Sequence, residues 1–374
     1  MNIPIAEPYL GIEEETAAAE AIRSGWVSQG PKVKEFEEMF AGYVGARYGV
    51  ATTSCTTALH AALVASGINT GDEVIVPSLS FIATANAVVH ASAIPVFADI
   101  DPDTCNVTVK TIEKVITKKT KAVMPVHQMG LPVDLDPIMD LCEKRGLVLI
   151  EDAACAIGSE YKGKKIGGHG NIACFSFHPR KIITTGEGGM ITTNDPEIAE
   201  RLRKLRHHGM SVSDVERHDS KKIVIERYFE IGYNYRMTDI QAAIGIEQLK
   251  KLPFIIERRR RIAEVYNREL KNIKFIRVPE IPDYAFHNYQ SYWIELLDST
   301  PVSRDELMQK LLDKGIATRR GIMAIHMEEC YKKYYVPLPE TERVTTNTIL
   351  LPLYPAMTIE EQAYVIQCIR ELRQ

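Results

Sequence analysis

From about residue 47 to 195, short apolar runs alternate with segments of helical spacing. Runs at 48–50, 74–76, 95–97, 122–124 and 147–150 read as buried strands. Between them, 56–66, 82–90, 110–116 and 135–145 carry apolar residues at helix-like intervals. Such alternation predicts crossover units and an α/β fold with a mostly parallel sheet sandwiched by helices. Ligands of these sheets sit at the carboxyl ends of the strands, where Asp152 and the loop Ser54-Cys55-Thr56-Thr57 both fall. After about 245 the texture changes. A charged helix over roughly 254–270 leads to a strand pattern at 290–296 and helices at 303–314 and 358–371. The division expected is a large domain over 1–245 and a smaller α+β domain over 246–374. Residues 221–227 are polar and irregular and predict a surface loop.

Composition narrows the function classes. The chain has 374 residues, 45% hydrophobic and 25% charged, which is ordinary for a globular protein with a sizeable core. A net charge of −4 gives no global field favouring nucleic acid or anionic membrane. The basic run Arg258-Arg259-Arg260-Arg261 lies in a helical pattern and reads as a solvated face. Seven cysteines, an odd number without any CxxC, suit reduced thiols in a cytoplasm. The amino terminus has neither a basic stretch nor an apolar core, so no signal peptide is expected. No apolar run approaches the ~18 residues of a membrane span.

The chemistry gathers around an acid and a lysine. Leu147-Val148-Leu149-Ile150 stops abruptly at Glu151-Asp152, and Lys181 follows 29 positions after Asp152, ahead of Thr184-Thr185-Gly186-Glu187-Gly188-Gly189. These are the parts a pyridoxal phosphate site requires: an amine for the Schiff base and a carboxylate for the pyridine nitrogen. A lysine has to be deprotonated to attack an aldehyde, so desolvation or a nearby cation is expected to lower its pKa. The residues from Ser54 to His60 place short polar side chains at the start of a helix, where backbone N–H groups suit a phosphate. Ser/Thr caps also begin many helices that bind nothing. Ser176 offers a hydroxyl near the lysine, and Phe81, after the strand at 74–76, suits stacking on an aromatic ring. The glycines at 186, 188 and 189 match neither a GxGxxG fingerprint nor a P-loop. His127, His169, His178, Cys155 and Cys174 have no zinc-ligand spacing, so no metal is expected. There is no Gly-x-Ser-x-Gly elbow.

Five segments together resemble the DegT/StrS sugar aminotransferases, of the fold type I (aspartate aminotransferase) pyridoxal phosphate superfamily. They are Ser54 to Leu59, Asp72 to Pro77, Glu151 to Ala154, Ser176 to Gly189, and Gly232 to Asp239, and the likeness covers nearly the whole chain. The resemblance implies that Lys181 carries the Schiff base, that Asp152 pairs with the ring nitrogen, and that Phe81 stacks on the ring. Cys55, Thr56 and Ser176 would hold the phosphate. Asn234 would reach the cofactor of a neighbouring subunit, so a homodimer with shared sites is implied. It further implies a nucleotide-linked keto sugar as acceptor and L-glutamate as amine donor. Trp26, Gln29, Glu187, and Arg319 or Arg320 are the substrate candidates; either arginine could bind a glutamate carboxylate or a diphosphate. One departure concerns Cys155, where the family often carries Gln or His beside the cofactor. A dehydratase branch replaces the lysine by His; Lys181 favours transamination. A free keto sugar or keto-inositol is the alternative acceptor. A non-catalytic regulator is the alternative class, and it would need neither Lys181 nor Asp152.

Overall fold

The computed structural model describes residues 1–212, 220 and 222–373. In chain order the elements are α1 (Ile12–Ser24), α2 (Pro31–Val44), β1 (Tyr48–Thr52), α3 (Cys55–Ala65), β2 (Glu73–Pro77), α4 (Ala83–His90), β3 (Ile94–Ala98), α5 (Val109–Glu113), β4 (Thr120–Val123), α6 (Leu135–Arg145) and β5 (Val148–Asp152). There follow β6 (Glu160–Tyr161), β7 (Lys164–Lys165), β8 (Ile172–Ser176), β9 (Gly189–Thr193), α7 (Pro196–Leu205) and α8 (Asp239–Leu270). The last part holds β10 (Ile276–Arg277), β11 (Ala285–Phe286), β12 (Tyr292–Leu296), α9 (Arg304–Asp313), β13 (Arg319–Arg320), α10 (Pro339–Asn347), β14 (Thr348–Leu351) and α11 (Ile359–Arg370).

Seven strands form the main sheet in the order β1-β9-β8-β5-β4-β2-β3. Only β9 runs against the rest: it pairs antiparallel with β1 and β8, while the pairs from β8 to β3 are parallel. Successive residues of a strand face opposite sides, and the burial follows. Leu149 and Phe175 enter one core with Phe36 and Phe40 of α2; Ile150 and Cys174 enter the other with Leu59 and Leu63 of α3. Helices therefore cover both faces, and the strand ends are left to carry function. A second, antiparallel sheet, β10-β12-β14-β13, packs with α9, α11 and the end of α8 around a separate core.

The expected mostly parallel sheet and its crossover helices are present. The long helix is longer than expected: α8 starts at Asp239, not near 254, and spans the 245/246 position. Pro253 lies inside it. Proline normally ends a helix, but here it costs one backbone bond at an exposed position and the helix continues on both sides. Thr238 and Gln241 cap the start, and Asp239 accepts from the N–H groups of Gly30, Lys32 and Val33.

The reading of Arg258 to Arg261 as a solvated face fails for three of the four. Arg259 is buried and donates to the carbonyls of Tyr289 and Gln290 at 3.1 Å each. Arg258 donates to the carbonyls of Pro355 and Met357, and Arg260 to that of His287. Only Arg261 is exposed, paired to Glu257 one turn away. The run ties loops to α8, because unpaired carbonyls in those loops need donors. In the expected surface loop, Lys221 lies outside the described residues; 222–227 carry neither helix nor strand.

Candidate active site

The strand ends converge on one edge of the main sheet. Asp152 ends β5 and is registered with Cys174 of β8; Ser176 ends β8 opposite Gly189, and Gly189 also faces Thr52 at the end of β1. At this edge lies a cavity of about 470 Å³. Of the expected site residues, Cys55, Thr56, Phe81, Asp152, Ser176, Lys181, Glu187 and Arg319 all line it. They come from segments more than 260 positions apart in the chain.

Asp152 is 4% exposed. Its Oδ2 accepts from the Thr84 hydroxyl at 2.7 Å, and its Oδ1 from the Ala154 N–H at 3.2 Å. The Thr84 hydroxyl in turn contacts Ser80 Oγ at 2.7 Å. Burial pushes the Asp152 carboxyl above the usual carboxylate value, against the Thr84 and Ala154 hydrogen bonds and the charges of Lys181 and His127. The adjacent acid, Glu151, is used elsewhere: it pairs with buried His127 at 2.9 Å and accepts from Asn171.

Lys181 Nζ donates to Cys155 Sγ at 3.1 Å. Burial disfavours its charged form, but Cys155, Cys55 and Asp152 outweigh burial, and the amine sits above the ordinary lysine value. This is opposite to the lowering expected from the sequence. The reason is that a carboxylate and two sulfur atoms surround the amine and favour its charged form. Asn288 holds the backbone of Cys155, donating to its carbonyl at 2.8 Å and to that of Ile157 at 2.9 Å.

The floor opposite is the start of α3. Ser54 caps it, accepting from Thr57 N–H at 3.2 Å. The first-turn N–H groups of Cys55 and Thr56 have no carbonyl one turn back to reach, so they are open to an anion. Gly189 makes this close approach possible: a Cβ there would lie 2.5 Å from the Ser54 carbonyl carbon and oxygen and 2.8 Å from Cys55 N. Ser176 Oγ is at the same end of β8. Phe81 is 70% exposed, a side chain at the cavity mouth and not a core residue.

The two arginine candidates separate. They are neighbours on β13, so their side chains take opposite faces. Arg319 lines the cavity, whereas Arg320 pairs with Glu328 at 3.2 Å. Trp26, Gln29 and Asn234 do not line it. Trp26 lies against Gly30 next to Asp239, Gln29 borders a different groove, and Asn234 is exposed and bridges to His207. Sequence reasoning missed Thr84, Arg180 and Gln290, which also contribute to the site. Arg180 lies in the lysine segment itself but was given no role there; no motif marks Thr84 or Gln290, and only the fold brings them in.

The residues fit pyridoxal phosphate. A buried acid whose carboxylate is costly without a cation, a lysine amine in the same cavity, and open N–H donors at a helix start match the ring nitrogen, aldehyde and phosphate of that cofactor.

The model of the DegT/DnrJ/EryC1/StrS aminotransferase family matches residues 8–370. The chain belongs to this family. Its members are pyridoxal phosphate-dependent sugar aminotransferases, and solved relatives include pyridoxal and pyridoxamine phosphate forms. Over 379 residues the chain is 39% identical to the spore coat polysaccharide biosynthesis protein SpsC of Bacillus subtilis, covering 99% of this chain and 97% of that one. The aminotransferase TlmJ from Streptoalloteichus hindustanus superposes with a TM-score of 0.92 at 36% identity, over 99% of this chain and 98% of TlmJ. PseC of Helicobacter pylori, an aminotransferase involved in the biosynthesis of pseudoaminic acid, does so at 0.92 and 30%, over 100% and 99%. Among the described residues, no helix is long and apolar enough to cross a membrane.

Proposed function

We propose that this sugar aminotransferase transfers the amino group of L-glutamate to a nucleotide-linked keto-deoxy sugar. The observation that carries the proposal is the single cavity shared by the Lys181 amine, the Asp152 carboxylate and the start of α3. Bound pyridoxal phosphate supplies an electron sink for the substrate carbon that loses its proton. The chain's own residues do the rest. Asp152, held by Thr84 and Ala154, keeps a proton on the ring nitrogen. Cys55 and Thr56 N–H groups and the Ser176 hydroxyl grip the phosphate. Phe81 would stack on the ring from the cavity mouth. Lys181 would hold the cofactor through its aldehyde carbon and, as a free amine, would move the proton at the reacting carbon. Cys155 keeps the amine in place between these roles.

The working unit is a homodimer in which Asn234 reaches the partner's cofactor. An apolar surface beside Asn234 supports this: Ile223, Ile225, Phe229 and Ile231 are each at least 71% exposed, more than an isolated subunit normally leaves to water. The seven cysteines are free, in keeping with a reducing cytoplasm. Candidate acceptors are incubated with the loaded protein and L-glutamate, and the sugar product is weighed by mass spectrometry. Amination of a nucleotide-linked keto sugar, inhibited by a nucleoside diphosphate, is the expected result. Turnover of a free keto sugar or keto-inositol, unaffected by the diphosphate, contradicts the proposed acceptor.

A further inference from the structure

Two guanidinium groups line the cavity without a carboxylate partner. Arg180 directly precedes Lys181, and Arg319 opens β13 of the second sheet. Among the described residues neither side chain makes an ion pair or hydrogen bond, whereas Arg201, Arg206, Arg277, Arg320 and Arg343 are all paired to glutamates. Their backbones, in contrast, are fixed. The Arg180 N–H donates to His178 Nδ1 at 3.2 Å, and its carbonyl accepts from Gln290 Nε2 at 2.9 Å. Arg319 is registered with Leu350 of β14. Burial, and then the charge of Arg319, draw Arg180 below its ordinary value, so the two are close enough to repel. His178 and Lys181 line the same space; the acids there are Glu187 at the mouth and Asp152, which is already held by Thr84.

A pocket that gathers like charges on anchored backbones, and leaves the forks open, is built for an anion. We propose that Arg180 and Arg319 together bind an oxyanion of the substrate, one guanidinium from each wall. This rests on the aminotransferase reading, under which both substrates are anionic: the donor through its carboxylates, the acceptor through its phosphates. Both present oxygen pairs that suit a planar fork. Closing on that anion turns a repulsive pair into two attractive contacts and points the other end of the ligand toward Lys181.

The test is calorimetric titration of the cofactor-loaded protein with two unreactive probes, glutarate for the donor carboxylates and uridine diphosphate for the acceptor phosphates. Variants are Arg180→Gln, Arg319→Gln, the double variant, and Arg320→Gln as the outward-facing control. Each single variant is expected to weaken at least one probe by about tenfold, as loss of a charge-assisted fork implies. The double variant should lose less than the two singles combined, because both groups hold one anion. Arg320→Gln should stay within about twofold of the parent. Loss confined to glutarate assigns the clamp to the donor, loss confined to the diphosphate to the acceptor, and loss of both to shared use. Parent-like binding of both probes by the double variant, or no binding of either probe by the parent, overturns the proposal. Unchanged melting temperatures exclude misfolding. The cofactor's visible band, read in the same samples, reports separately on the aminotransferase reading: its absence sinks that reading and leaves the anion titration interpretable.

Discussion

At the residue scale the site is a set of mutual constraints. Burial outweighs the hydrogen bonds from Thr84 and Ala154, so the folded pKa of Asp152 lies above the unfolded ~3.9. A raised acid binds its proton more tightly when folded. Its contribution to stability is complete below the unfolded value and is lost as pH rises through the folded one. The ligand-free melting temperature should therefore fall over that acid range, and Asp152→Asn should flatten the fall. Parallel melting curves for parent and variant would contradict the burial argument. Thr84 deepens the same point. It donates to Asp152 Oδ2, and a hydrogen bond to a charged group contributes roughly 1.5–3 kcal/mol. Thr84→Val should loosen the cofactor about tenfold or more in a titration with pyridoxal phosphate. An unchanged affinity would mean that Thr84 only fills space. Asp152 and Lys181 were legible in the sequence because an acid ending an apolar strand, and a lysine before a glycine-rich turn, are unusual. Thr84 was not, since a threonine inside an alanine-rich helix carries no local mark of what it touches. The raised pKa of Lys181 was also beyond the sequence, because it depends on which groups surround the amine.

At the element scale, the phosphate floor depends on how closely β9 approaches α3. Gly189→Ala would set a methyl group against the Ser54 carbonyl and Cys55 N, both backbone and unable to yield. Overpacking of this kind costs about 1–3 kcal/mol. The expected outcome is a lower melting temperature together with faster loss of cofactor on dialysis. A variant that keeps both would show that the α3 start can shift without consequence. Strands with continuous apolar runs were readable from pattern alone, as were helices such as α4 and α6. The start of the long helix was not legible because it is set by the packing of Ala242, Ile246 and Leu249 into the main core. The basic run on the same helix was misjudged for a related reason: side-chain charge says nothing about nearby carbonyls that need donors. The split between Arg319 and Arg320 could not be made until the pairing of β13 with β14 set their faces.

At the scale of the whole molecule, the fold brings distant chain segments, around Cys55, Phe81, Asp152, Lys181 and Arg319, to one cavity and leaves several large apolar side chains exposed. Those side chains, close in sequence to Asn234, are where the proposed partner subunit would bind. Replacing Phe229 and Ile231 by aspartate should convert a dimer into monomers in sedimentation velocity and lower cofactor retention with it. Monomeric parent protein would contradict the shared site. Mixing Lys181→Ala with Asn234→Ala subunits should also recover activity beyond the sum of the two, since one of the hybrid's sites would be intact. The fold class and the chemistry of the family were legible because several segments agreed at once. The acceptor's identity was not, because it depends on the shape of a cavity built from loops.

The most direct test of the central claim is the visible spectrum of the purified, cofactor-loaded protein before and after L-glutamate. A band near ~410–430 nm that gives way to one near ~330 nm is expected from a lysine-held cofactor that accepts an amino group. Lys181→Ala should lack the first band while keeping the parent's fold. A parent protein with no such band after incubation with pyridoxal phosphate, or one whose band ignores L-glutamate, would contradict the account of Lys181 and of the donor.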